Sequence, residues 1–110
     1  MIKSDIKVGV KDAVEILSYS NKEFSEVFRH KSLTIELFKP EKIDRQQPHD
    51  RDEIYVVVAG SGMFFCDGLT VDFEKGDVLF VPAGARHRFE DFTHDFITWV
   101  FFYGPEGGEK

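Results

Sequence analysis

In the stretch Glu53-Ile54-Tyr55-Val56-Val57-Val58-Ala59-Gly60-Ser61-Gly62-Met63-Phe64-Phe65-Cys66-Asp67-Gly68, a β-branched and aromatic run meets a turn of small residues, returns, and turns again. Such side chains lose rotamer freedom in a helix and pack well on a pleated surface. Asp67-Gly68 is a hairpin signal, because both residues tolerate the backbone of a tight turn. Strands are therefore predicted at Glu53–Val58 and Met63–Cys66. The pattern extends to Leu69–Phe73, Val78–Val81, Arg86–Glu90 and Ile97–Tyr103. Upstream, Leu33-Thr34-Ile35-Glu36-Leu37 alternates apolar with polar residues, which puts one face inward and one in water. Phe24–His30 fits a helix or a strand equally well. Asp12–Ser18 reads as a short helix, with Asp12 as N-cap and Glu15 completing a capping box. Short strands, frequent turns and the lack of a long amphipathic helix predict an all-β sandwich or barrel.

The chain has 110 residues, enough for one domain, 1–110, and too few for two. Residues 1–11 read as an N-terminal segment and 104–110 as a mobile tail. A net charge of −6 argues against nucleic acid bound through its phosphates and against an anionic membrane surface. A lone Cys66 forms no internal disulfide, residues 1–11 lack the apolar run expected of a signal peptide, and no apolar run in this sequence is long enough to span a membrane. The expectation is a soluble, cytoplasmic, reduced protein.

Gln47, His49 and Glu53 share odd parity, so on an extended chain they project to one face. In Arg86-His87-Arg88-Phe89-Glu90 the arginines are poor candidates for a core, which turns His87 and Phe89 inward. Burying His and Glu together is costly unless they pair or bind a metal. Two imidazoles and one carboxylate suit non-haem Fe(II), with Mn, Ni and Zn also accommodated. The carboxamide of Gln47 adds a weak oxygen donor, direct or through water. An ion held by a single carboxylate keeps positive charge and favours an anionic or chelating oxygen substrate.

These residues carry a family resemblance. Gln47-x-His49-x3-Glu53-x6-Gly60 resembles the first cupin motif, HxHx3–4Ex6G, and Gly76-x5-Pro82-x-Gly84-x2-His87-x3-Asp91 resembles the second, Gx5PxGx2Hx3N. Three positions depart: Gln47 replaces the first histidine, Glu41 stands where the leading glycine falls, and Asp91 replaces the closing asparagine. The resemblance implies a single-domain cupin-like jelly-roll β-barrel with a short N-terminal helical segment. It implies metal ligands at His49, Glu53 and His87, with Gln47 as fourth. That Gln-His-Glu-His set is similar to the one in cupin-type phosphomannose isomerases, which use zinc.

Alone, His49 could be an exposed turn histidine and Glu53 a solvated strand end; their register with His87 favours a shared site. His30 and His94 read as surface residues, Cys66 as a packed small hydrophobe and Asp91 as a turn residue. The glycines lack phosphate-loop spacing and suit turns.

Twelve Phe, three Tyr and one Trp need places. If odd parity holds across strands, Tyr55, Val57, Phe65, Phe89, Trp99, Phe101 and Tyr103 line the barrel, and Tyr55, Phe65, Phe89, Trp99 and Tyr103 are candidates for the ligand pocket. Ile54, Val56, Val58, Val100 and Phe102 then lie outside, to be covered by the N-terminal segment or by a second subunit, and a homodimer is expected. The function expected is a metal-binding protein that acts on a small oxygen-bearing molecule by dioxygenase or isomerase/lyase chemistry. The alternative is a non-catalytic small-molecule binder or sensor, with or without a metal.

Overall fold

The computed structural model describes residues 6–110; the start of the N-terminal segment, 1–5, lies outside them. One helix and eight strands follow in order: α1 (Val10–Ser20), β1 (Phe24–His30), β2 (Leu33–Phe38), β3 (Asp52–Ala59), β4 (Ser61–Cys66), β5 (Leu69–Glu74), β6 (Val78–Val81), β7 (His87–Glu90) and β8 (Ile97–Tyr103). The strands form a five-stranded sheet, β1-β2-β8-β3-β6, facing a three-stranded sheet, β5-β4-β7. Every strand pair is antiparallel. This is an all-β jelly roll with one short helix. Among the described residues no helix is long and apolar enough to cross a membrane.

The core between the sheets is aromatic. Phe89 lies at its centre, its ring centroid 4.8 Å from Tyr55, 4.8 Å from Phe64 and 4.6 Å from Phe96. Tilted and edge-on pairs of this kind add about 0.5–1.5 kcal/mol each beyond burial. A second cluster lies on the outer face of the large sheet. There Ala13, Ile16 and Leu17, one stripe of α1, pack against Val27, Leu37 and Ile97. The helix begins at Val10, with Gly9 as N-cap and no side-chain cap, so the expected capping box of Asp12 and Glu15 does not form. Asp12 lies in the first turn instead, where its charge favours the helix dipole.

Within β3 and β7 the expected parity holds: Tyr55, Val57 and Phe89 face the core. Across strands it inverts. Glu53 pairs with Phe102 and Tyr55 with Val100, and directly opposed residues share a face. Val100 and Phe102 therefore point inward, whereas Trp99, Phe101 and Tyr103 point outward. Phe64 opposes Phe89, which puts Phe64 inside and Phe65 outside, with Arg88 4.7 Å over the Phe65 ring. Phe65, Trp99 and Tyr103 thus lie outside the barrel interior, and Trp99 lines a cleft on the outer face with Phe101, Ile35 and Phe28. In β2, Glu36 opposes Val100 and Thr34 opposes Phe102, so the polar face of that strand is the inner one. Its apolar face, Leu37 and Ile35, is covered by α1.

Gly60 closes the turn between β3 and β4 at φ +89°, where a Cβ would stand 2.5 Å from the Phe96 Cα. Only glycine permits that approach. The segment 104–110, expected as a free tail, folds back along the site strand. Gly107 N donates to the Asp50 carbonyl at 2.7 Å, and Glu109 N donates to Asp52 Oδ2 at 2.9 Å. Sequence pattern does not reveal this, because the bonds use backbone donors that any residue supplies.

Candidate metal centre

Glu53 projects inward from the start of β3, wholly buried, opposite Val81 and Phe102. His87 does the same from the start of β7 in the other sheet. His49 enters from the irregular segment before β3. Its ring lies edge-on to Phe102 at 4.9 Å and 5.3 Å from the His87 ring. Two stitches hold these segments together. Gly84 N donates to the His49 carbonyl at 2.7 Å, and Ala83 N donates to Asp52 Oδ1 at 2.9 Å. The Glu109 amide, followed by the Ala83 amide, holds the Asp52 carboxyl below its ordinary value. The turn leading into His87 is thereby tied to the residues flanking Glu53.

One potential donor atom from each of His49, Glu53 and His87 lies within 4.8 Å of the others. The buried pair is electrostatically incomplete. His87 Nδ1 lies 3.0 Å from the Ala85 carbonyl oxygen, which can only accept, so Nδ1 carries the proton of the neutral ring. The Nε2 lone pair is then left facing Glu53 Oε1 at 3.2 Å. Glu53 Oε1, Glu53 Oε2 and His87 Nε2 complete no well-aligned hydrogen bond among the described residues. Two lone pairs at that range repel unless a proton or a cation lies between them. Burial is the largest single influence on His87 and lowers its pKa, but Glu53 and the Ala85 carbonyl together outweigh it, and the net shift is upward. His49 goes the other way: burial holds it below the ordinary histidine value, with Glu53 only partly offsetting.

The segment before β3 is not extended, so parity does not carry through it. Gln47 is exposed. Its neighbour Gln46 points inward, with Oε1 accepting from the Tyr55 hydroxyl at 3.1 Å and lying 3.3 Å from His49 Nε2. Burial raises the Tyr55 pKa well above the ordinary phenol value, which keeps the hydroxyl a donor. Asp44 is also buried, and it accepts from the Phe89 and Gln46 amides. Neither Gln46 nor Asp44 is marked by the strand pattern. Of the expected pocket aromatics, Tyr55 and Phe89 lie on the inner face beneath the histidines. His30 and His94 are exposed, and Cys66 packs on the core.

His49, Gln46 and the exposed Gln47 also line a largely apolar cleft of about 370 Å³ with Phe24, Phe38, Phe102 and Glu36. Glu36 was expected in water. Burial in this cleft, followed by repulsion from Glu26 and Glu53, pushes its pKa up to about 7.

Residues 34–101 match the family model described as Cupin domain, and this span covers the inner strands and all three clustered residues. The chain belongs to the cupin family. As a cupin it is similar to the uncharacterized protein SCO3923 of Streptomyces coelicolor, 38% identical over 63 residues, covering 57% of this chain and 60% of that one. It is 43% identical over 53 residues to an acireductone dioxygenase of a Sulfurihydrogenibium species, covering 44% of this chain and 30% of that enzyme. The matched segments thus span less than two thirds of either relative. Among solved structures, a Ralstonia eutropha protein assigned as a mannose-6-phosphate isomerase superposes with a TM-score of 0.58 at 26% identity, covering 74% of this chain and 83% of that one.

The Glu36 shift makes a pH prediction. A carboxyl whose pKa is raised on folding contributes stability that is fully present below its unfolded value and is lost as pH rises through the folded one. That window runs from 4.5 to about 7. Glu36→Gln removes the loss, so its melting temperature relative to the parent cupin should climb between about pH 5 and about pH 8. A difference that stays flat over that range contradicts the buried-carboxyl assignment.

Proposed function

We propose that this cupin holds a divalent metal ion on His49, Glu53 and His87 and uses it on a small molecule that chelates through oxygen. The observation carrying the proposal is the buried trio Glu53 Oε1, Glu53 Oε2 and His87 Nε2, left without hydrogen-bond partners beside His49. A donor set of two imidazoles and one carboxylate with open positions fits Fe(II) of the oxygenase type, and Mn, Ni or Zn can occupy the same donors. Likeness to an acireductone dioxygenase over the barrel segment supports the dioxygenase branch of that chemistry. The bound ion would supply Lewis acidity and reactivity toward dioxygen.

The chain's own residues do the rest. The Ala85 carbonyl orients the His87 ring and fixes its tautomer. Phe24, Phe38 and Phe102 shed water from a substrate in the cleft and strengthen every charge interaction within it. Glu36, with a pKa of about 7, can take or return a proton there near neutral pH.

A homodimer belongs to the same proposal. The helix covers one end of the large sheet, while Val78 and Phe80 on β6 are 64% and 53% exposed beside Ile54 and Val56. Apolar residues gathered there suit a second copy. Light scattering should give a dimer mass that Phe80→Asp reduces to a monomer; a monomeric parent protein at micromolar concentration contradicts it.

The functional test is elemental analysis of the full chain, followed by oxygen uptake by the Fe(II)-loaded protein with an acireductone as probe. The expected result is about one metal per chain in the parent, none in His87→Ala, and oxygen uptake by the parent only. Metal content equal in the two proteins overturns the metal site. Loaded protein that takes up no oxygen overturns the dioxygenase branch.

A further inference from the structure

We infer that the fourth protein donor to the ion is the carboxamide oxygen of Gln46, not that of Gln47, and that Asp44 positions it. The inference rests on the metal reading above and adds a residue outside both sequence motifs.

The amide of Gln46 has its orientation decided by charge. Its Nε2 lies 3.0 Å from Asp44 Oδ2. A carboxylate only accepts, so the NH2 end must face Asp44 and the oxygen must face the barrel interior. Asp44 is itself held: it is 7% exposed, and its oxygens accept from Phe89 N at 2.8 Å and Gln46 N at 3.0 Å. The Tyr55 hydroxyl donates to the opposite end of the amide, to Oε1, at 3.1 Å. The Asp44 carboxylate, which cannot donate, therefore fixes the orientation of the carboxamide, and the oxygen is presented at 3.3 Å from His49 Nε2.

That separation fits two donors of one ion. Atoms bonded to a single divalent metal at about 2.1 Å and at right angles stand about 3 Å apart. The Gln46–His49 separation of 3.3 Å and the Glu53–His87 separation of 3.2 Å are both edges of that size. Without the ion, a proton on His49 Nε2 makes the same contact a hydrogen bond. A neutral fourth donor also leaves Glu53 as the only negative ligand, so the ion keeps its attraction for an anionic oxygen substrate. Gln47, one residue along, is exposed and has no counterpart of this lock.

Co(II) binding to the metal-free full chain tests the assignment, because Co(II) reports affinity and, through its visible spectrum, coordination. Gln46→Ala should weaken Co(II) binding by about tenfold or more and change the spectrum, with a circular dichroism spectrum like the parent's. Asp44→Asn should weaken binding while leaving the spectrum of the saturated protein close to the parent's, as a positioning residue requires. Gln47→Ala should change affinity by no more than about twofold. Loss of affinity in Gln47→Ala but not in Gln46→Ala overturns the inference and leaves the metal site standing. So does a Gln46→Ala protein whose melting temperature falls while its affinity and spectrum are unchanged. A parent chain that binds Co(II) no better than His87→Ala overturns the metal reading, and this inference with it.

Discussion

The structure turns on one unfavourable contact: a carboxylate and an imidazole lone pair brought to 3.2 Å of each other inside an aromatic core. Tyr55 and Phe64 flank the His87 ring, and apolar ring faces do little to screen the pair. Removing a carboxylate from water costs several kcal/mol, and it is tolerated only when a counter-charge and hydrogen bonds compensate. Here the hydrogen bonds are missing and the compensating charge must be a proton or a cation. The upward shift of His87 is the proton's version of the answer. A metal ion is the stronger version, since it can satisfy His49, Glu53 and His87 together.

The jelly roll supplies what such a contact demands. Glu53 and His87 come from different sheets, so each sheet fixes one partner and the distance between sheets fixes the pair. The backbone bonds Gly84–His49, Ala83–Asp52 and Glu109–Asp52 then hold the loop end of the barrel closed around them. Those bonds explain why the C-terminal segment lies against the site strand despite its glycines. They also explain why the site lies at the strand ends, where a turn can be tied down without interrupting a ladder.

How much of this is legible in sequence depends on whether a residue acts within one element or between two. Parity within β3 gives Glu53, Tyr55 and Val57 a common inward face, and parity within β7 does the same for His87 and Phe89. Those residues need only a straight strand. Trp99, Tyr103 and Phe65 come out on the other side because facing between strands is set by register, and register depends on turn geometry that composition does not encode. Gln47 departs from the alternation for a related reason: the segment before β3 bends, so Gln47 is exposed and Gln46 turns toward Tyr55 and His49. Glu36 reads as a water-facing residue in an amphipathic strand until β8 is set against it and α1 is laid over the other face. The covering helix reverses which side of β2 is the interior.

The most direct test of the account is anomalous X-ray diffraction from crystals of the full chain loaded with Co(II). The account predicts one strong peak inside the barrel, in contact with His49, Glu53 and His87 and absent from His87→Ala crystals. A barrel interior without a peak, with Co(II) bound only at the surface, would contradict it.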